Sequence, residues 1–147
     1  MAASEEISSL LEEVDADFYP RLSSQVSIPI YAEKIVKNST IFSIRESGRL
    51  TAFVALYCND RVTWTAYMSM LCVAKGRRKD GLATGLVRNG IDYLANLGFL
   101  RLRLEVYKNN SAAVNFYRRL DFISVGENEK SHFMELALVG IREHRAE

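Results

Sequence analysis

Histidine, cysteine, proline and tryptophan are scarce in this chain of 147 residues, which holds two His, two Cys, two Pro and one Trp. Cys58 and Cys72 sit inside apolar, strand-like runs without metal-ligand spacing. No metal is therefore expected, and both read as small buried hydrophobes of a cytoplasmic protein. Excess charge of either sign is missing too. Nineteen Lys and Arg against 18 Asp and Glu leave a net charge of +1, which argues against a generally basic nucleic-acid binder and an acidic tail. No apolar run approaches the ~20 residues that a membrane span needs. The opening stretch MAASEEISSLLEEV lacks the basic start and apolar segment of a secretory signal. Repeats, low-complexity tracts and linkers are absent as well. The length suits a single domain, residues 1–147, able to bury roughly 68–70% of its unfolded surface.

What is present is an ordinary globular balance, 48% hydrophobic and 25% charged, arranged in alternating patterns. Residues 5–14 place Ile7, Leu10, Leu11 and Val14 on one helical face, and Pro20 and Pro29 bracket a loop before a second helix over 30–38. STIFSI, the turn ESGR and LTAFVALYC read as a hairpin. TWTAYMSMLCV, residues 63–73, is a long strand. From Leu82 to Leu97, positions 83, 87, 91 and 94 repeat at helical spacing, and Gly98 ends the helix. FLRLRLEVY, residues 99–107, alternates with period two and sets Leu102, Leu104 and Val106 against Arg101, Arg103 and Glu105. A short helix over 111–120 buries Ala113, Phe116, Tyr117 and Leu120, and FISVG and SHFMELALVG finish the chain as strands around the turn ENEK. The expectation is one α/β domain with strands before, between and after its helices.

The stretch GRRKDGLATG, Gly76 to Gly85, leaves a strand and opens a helix, a geometry that gathers backbone N–H groups and partial positive charge at one point. Gly76 and Gly81 have the spacing of a nucleotide P-loop, but Leu82 and Ala83 stand where that motif requires Lys and Ser or Thr. ATP or GTP hydrolysis is therefore not expected. The dinucleotide fingerprint fails on spacing and on the absence of an acidic ribose partner. The basic run has no aromatic stacking pattern beside it, so it is weak support for nucleic acid.

Arg78-x-x-Gly81-x-Ala83, directly after LCVAKGRR, resembles the acyl-CoA signature of the GNAT acetyltransferases. NSAAVNFYRRLDF, residues 110–122, resembles that family's second signature, and the likeness runs from about Leu50 to Phe122. Lys75 stands where Pro is common and Asp121 where Gly is usual; Asp tolerates the left-handed helix cap that Gly would supply. The resemblance implies an α/β (α+β) fold with a mixed, largely antiparallel sheet of six to seven strands. Four helices flank it, and it splays between the fourth and fifth strands. It also implies acetyl-CoA as co-substrate. The N–H groups from Arg78 through Lys79, Asp80, Gly81, Leu82 and Ala83 to Thr84 would ring the pyrophosphate, with charge from Arg77, Arg78 or Lys79. Gly81 would let the backbone approach closely. The pantetheine arm would pair like a strand beside Leu71, Cys72 and Val73, and Asn110, Ala113 and Tyr117 would complete the acyl-CoA site.

Spacing alone favours reading Tyr117 as a core tyrosine; the resemblance implies instead the general acid, protonated at neutral pH and able to serve a departing thiolate. Glu105, twelve residues earlier, matches the position of a base proposed in relatives that act on peptide α-amino groups, and the alternative is an ion pair with Arg103 or a basic residue on the next strand, or a helix-facing structural acid. Asn110 also reads as a plain helix cap. A Cys72 acyl intermediate would need a base that His132 and His144, both late in the chain, do not evidently supply, so direct transfer in a ternary complex is expected. The acceptor is a primary amine of unresolved class: amino sugar, polyamine, amino-acid derivative or protein N-terminus. A non-catalytic acyl-CoA sensor or scaffold is the alternative. The expected partners are acetyl-CoA, an amine-bearing acceptor and, at most, a second copy in a homodimer, with neither nucleic acid nor membrane.

Overall fold

The structure is a computed structural model that describes residues 3–78 and 81–140. Among these residues four α-helices and six strands follow in the order α1 (Ser4–Val14), α2 (Ile28–Asn38), β1 (Thr40–Glu46), β2 (Arg49–Asp60), β3 (Thr65–Val73), α3 (Leu82–Leu97), β4 (Arg101–Tyr107), α4 (Ser111–Arg119), β5 (Ile123–Glu127) and β6 (Ser131–Ala137). The strands form one sheet in the order β1-β2-β3-β4-β6-β5. Pairs β1–β2, β4–β6 and β5–β6 are antiparallel and β3–β4 is parallel. The mixed, largely antiparallel sheet and four helices expected from the sequence are present. As the spacing of residues 5–14 indicated, the described chain starts with the helix α1, and the parallel pair joins its third and fourth strands. Its register runs from Thr65–Arg101 to Tyr67–Arg103 and stops there.

The chain divides into two compact units: residues up to Tyr57 with Met70–Gly90, and Cys58–Ser69 with the chain from Ile91 onward. In the first, α1 buries Ile7, Leu10, Leu11 and Val14, the four positions its spacing selects, against a cluster that includes Ile35, Phe53 and Ala55. Burial of side chains of this size is worth roughly 1.5–3 kcal/mol each. Glu6, in the first turn, accepts the N–H of Ala3 and pairs with Arg45. Helix α2 begins at Ile28 rather than residue 30, because N–H groups in a helix's first turn make no intrahelical bond, so Pro29 removes none. Gly90 lets α3 approach β2: a Cβ there would meet Leu56 Cδ1 at 2.9 Å.

In the second unit β4 and β6 pair Leu102 with Leu136 and Leu104 with Met134, all buried. Strand β3 starts at Thr65, two residues later than its apolar run suggests. Asp60 accepts the N–H groups of Val62 and Thr63, at 3.1 and 3.0 Å, and Trp64 takes a positive φ of 54°. In α4 the buried residues are Val114 and Tyr117, whereas Ala113, Phe116 and Leu120 are only partly covered. A nine-residue helix meets the sheet along a narrower stripe than its apolar composition allows. Asp121 adopts φ 74°, the left-handed cap expected where Gly is usual. No helix among the described residues is long and apolar enough to cross a membrane.

Candidate functional site

In the first unit β3 ends at Val73 and a single 3-10 turn, Lys75–Arg77, leads to Arg78. Gly81 then opens α3 at φ 77°, a left-handed conformation that side-chain-bearing residues rarely adopt, and a Cβ on it would point into open space. The turn therefore requires glycine for its backbone angle and leaves room beside it. The first helical bond runs from Gly85 N to the Gly81 carbonyl at 3.1 Å, which places Leu82, Ala83 and Thr84 at first-turn positions where N–H groups precede the ladder. Room for an anion beside a glycine and a helix start fits a pyrophosphate. Lys79 and Asp80 lie outside the described residues. Arg77 and Arg78 both face protein carboxylates: Arg77 Nη2 lies 2.9 Å from Glu46 Oε2, and Arg78 Nη2 donates to Asp17 Oδ2 at 2.8 Å.

Along β3, Leu71 and Val73 are half-buried and alternate with Cys72, whose side chain belongs to the apolar core. Burial pushes the Cys72 thiol up to about 12, with Glu13 and Asp17 adding to the shift and Arg78 opposing it. A thiol so held is not a nucleophile at neutral pH.

The second unit positions the two titratable candidates. Asn110 caps α4: its Oδ1 accepts the N–H of Ala113 at 3.1 Å. One turn later Tyr117 is buried, edge-on to Phe122 at a centroid distance of 5.5 Å, and its hydroxyl donates to Met68 Sδ at 3.7 Å. Burial raises the phenol well above its ordinary value of 10.0, so it is fully protonated at neutral pH. A thioether is a weak acceptor, which leaves the hydroxyl available to a better one.

Glu105 occupies the opposite face. On β4 Leu102, Leu104 and Val106 are buried while Arg103 and Glu105 are exposed, as the alternation indicated. The ion pair of Glu105 with Arg103, the alternative to a base, does not form; Arg103 Nε instead donates to Glu135 Oε1 at 2.7 Å. Glu105 Oε2 accepts the hydroxyl of Ser131 at 2.7 Å, a residue only 1% exposed. Its charge also reaches Tyr67, whose phenol is raised first by burial and then by Glu105. Sequence reasoning missed Ser131, because only the β4–β6 register reveals that it neighbours Glu105. His132 Nδ1 lies 3.6 Å from Glu127 Oε2, and Lys108 Nζ lies 3.2 Å from the same oxygen. His144 lies outside the described residues. No group of three or more metal-ligating side chains gathers among the described residues.

Tyr67 and Met68 are successive on β3 and point to opposite faces. Tyr117 therefore reaches the Met68 face and Glu105 the Tyr67 face of the same strand pair. The last rung of their ladder is Tyr67–Arg103, two residues short of Glu105.

A family model described as Acetyltransferase (GNAT) family matches residues 7–122. Among curated proteins, N-alpha-acetyltransferase 30 of Schizosaccharomyces pombe is 38% identical over 72 residues, covering 46% of this chain and 48% of that protein. The matched region thus spans about half of that relative's length. Among solved structures, the ribosomal-protein-S18-alanine N-acetyltransferase of Escherichia coli superposes with a TM-score of 0.74 at 21% identity, covering 94% of this chain and 90% of that one. The PaiA N-acetyltransferase of Thermoplasma acidophilum, solved with coenzyme A, has a TM-score of 0.73 at 16% identity, covering 92% and 95%. At such identities the likeness to solved structures concerns the fold.

Proposed function

The chain belongs to the GNAT acetyltransferase family, and from that premise we propose that residues 1–147 act as one domain that moves an acetyl group from acetyl-CoA to a primary amine by direct attack. The observation that carries this reading is the placement of Tyr117 and Glu105 on opposite faces of β3–β4 at the point where their ladder stops. A group that must be deprotonated on one side and a leaving group that must be protonated on the other can meet both residues only beyond that last rung.

The turn at Arg78–Thr84 receives the pyrophosphate, with Lys79 and Asp80 in its middle, and Leu71, Cys72 and Val73 offer backbone to the pantetheine arm. Asn110 and Ala113 border the thioester end. Glu105, held by Ser131, takes a proton from the acceptor ammonium directly or through water, since only the neutral amine attacks. The nitrogen forms a bond to the thioester carbonyl carbon and the carbon–sulfur bond breaks. Tyr117 turns its hydroxyl from Met68 to the departing sulfur. Its raised pKa means that it works first as a hydrogen-bond donor to the developing thiolate, and solvent then balances the proton. The products are an acetylated amine and the free thiol of CoA. The acceptor favoured is a peptide α-amino group, supported by the 38% identity to a protein named as an N-alpha-acetyltransferase and by the Glu105–Tyr117 spacing.

Calorimetric titration tests the binding half. Acetyl-CoA is expected to bind and to raise the melting temperature, ATP with magnesium to do so far less, and Gly81→Glu to abolish the acetyl-CoA effect in a folded protein. Equal stabilisation by ATP would sink the reading. Free-thiol release against a panel of peptides, amino sugars and polyamines tests the chemical half; binding without turnover on any amine would establish the sensor or scaffold alternative instead.

A further inference from the structure

Three carboxylates grip the turn that follows β3. Glu13 Oε2 accepts the backbone N–H of Lys75 at 3.1 Å, Glu46 pairs with Arg77, and Asp17 pairs with Arg78 while Arg78 Nε donates to the carbonyl of Val73 at 3.3 Å. Glu13 and Asp17 come from one short stretch at the end of α1, and they take the two ends of the turn. That stretch is itself braced. Asp15 accepts the N–H and hydroxyl of Ser23 at 2.7 and 2.6 Å, and those bonds hold its carboxyl below the usual range. The Glu13 contact exists only because residue 75 is not proline, which has no N–H to give. Lys75, a departure from the family pattern, is thereby tied into the clamp.

We propose that Asp17 and Glu13 are positioning residues for acetyl-CoA binding, a role that rests on assigning the turn to the CoA pyrophosphate. A turn that must converge several N–H groups on one anion loses backbone freedom when it does so. Fixing the segment that leads into it, Lys75 to Arg78, beforehand removes part of that cost from the binding step. Because Arg77 and Arg78 are already committed to carboxylates, their guanidinium groups shape the turn and its backbone meets the anion. Asp17 acts through Arg78.

A double-mutant cycle read by calorimetric titration with acetyl-CoA tests this. Asp17→Ala is expected to weaken binding about three- to tenfold, and Asp17→Asn, which keeps an acceptor oxygen, to weaken it less. In an Arg78→Ala background Asp17→Ala should add nothing. Unchanged affinity in Asp17→Ala overturns the proposal, as does an equal loss in both backgrounds. Tighter binding would make Asp17 a competitor of the phosphate and overturn it as well. Ligand-free melting curves run alongside; if Asp17→Ala does not fold, Asp17→Asn with and without Arg78→Ala completes the cycle. Failure of the unaltered protein to bind acetyl-CoA would remove the assignment of the turn itself, an outcome distinct from tight binding that ignores Asp17.

Discussion

The two units hold their candidate groups by different physical means. The first holds a turn in an exposed position through backbone geometry and ion pairs: a glycine at φ 77°, a helix start and carboxylates on its flanking arginines. The second holds Tyr117 by burial among aromatic and sulfur-bearing side chains and sets Glu105 outward by strand alternation. Exposed, hydrogen-bonded geometry suits a ligand that carries its own charge, because water screens the competing ion pairs until the ligand arrives. Burial suits a proton donor, because it keeps the phenol neutral until a stronger acceptor appears.

The sharpest way to break this contrast is to exchange reactive atoms in each unit. Tyr117→Phe is expected to lower turnover by about 10²–10⁴-fold with little change in acetyl-CoA affinity, whereas Cys72→Ala keeps most activity. Both are read by free-thiol release. An active Tyr117→Phe beside a dead Cys72→Ala would move the chemistry into the first unit and favour an acyl-cysteine route.

A smaller effect is expected at Glu105. Glu105→Gln should cost about ten- to a hundredfold at neutral pH and recover as pH rises, because solution then supplies the neutral amine that the carboxylate no longer generates. A loss that stays constant across a pH–rate profile would reduce Glu105 to a structural partner of Ser131.

The smallest effect belongs to the first unit's surface. The Arg45 guanidinium, with help from the Ala3 N–H, holds the exposed Glu6 carboxyl at about 2, below its ordinary 4.5. A depressed carboxyl contributes stability above its unfolded value and loses it as pH falls through the folded one. Glu6→Gln should therefore melt slightly lower than the unaltered protein at pH 7, and the gap should close between pH 4.5 and 2. A gap of the same size at both ends would show that the pair contributes nothing through its charge.

Much of this was legible in the chain of residues. Local periodicity determined α1, α3 and β4 with their buried faces, because helix and strand spacing are properties of neighbouring residues. Asp121 announced a left-handed position and takes it; Gly81, singled out for close backbone approach, takes one as well. The turn at Gly76–Gly85 could be separated from a P-loop by residue type alone. Where local signals ran out, boundaries slipped: Pro29 entered α2, and Trp64 left β3.

Partnership was decided by the tertiary structure. Arg78 reads as a free cation in its own stretch, yet its partner Asp17 lies 61 residues earlier. Tyr117 reads from spacing first as a core tyrosine; only the fold places Met68, 49 residues away, at its hydroxyl and buries it so that its pKa rises. Arg103 was one partner the sequence offered Glu105, but the register of β4 against β6 brings Glu135 to that arginine and Ser131 to the glutamate. The sequence by itself determined the elements, the outward face of Glu105 and the backbone demands of the turn, since those depend on bonds and spacings a few residues long. Which charge meets which, and which hydroxyl is kept from water, depends on groups that only chain closure brings together.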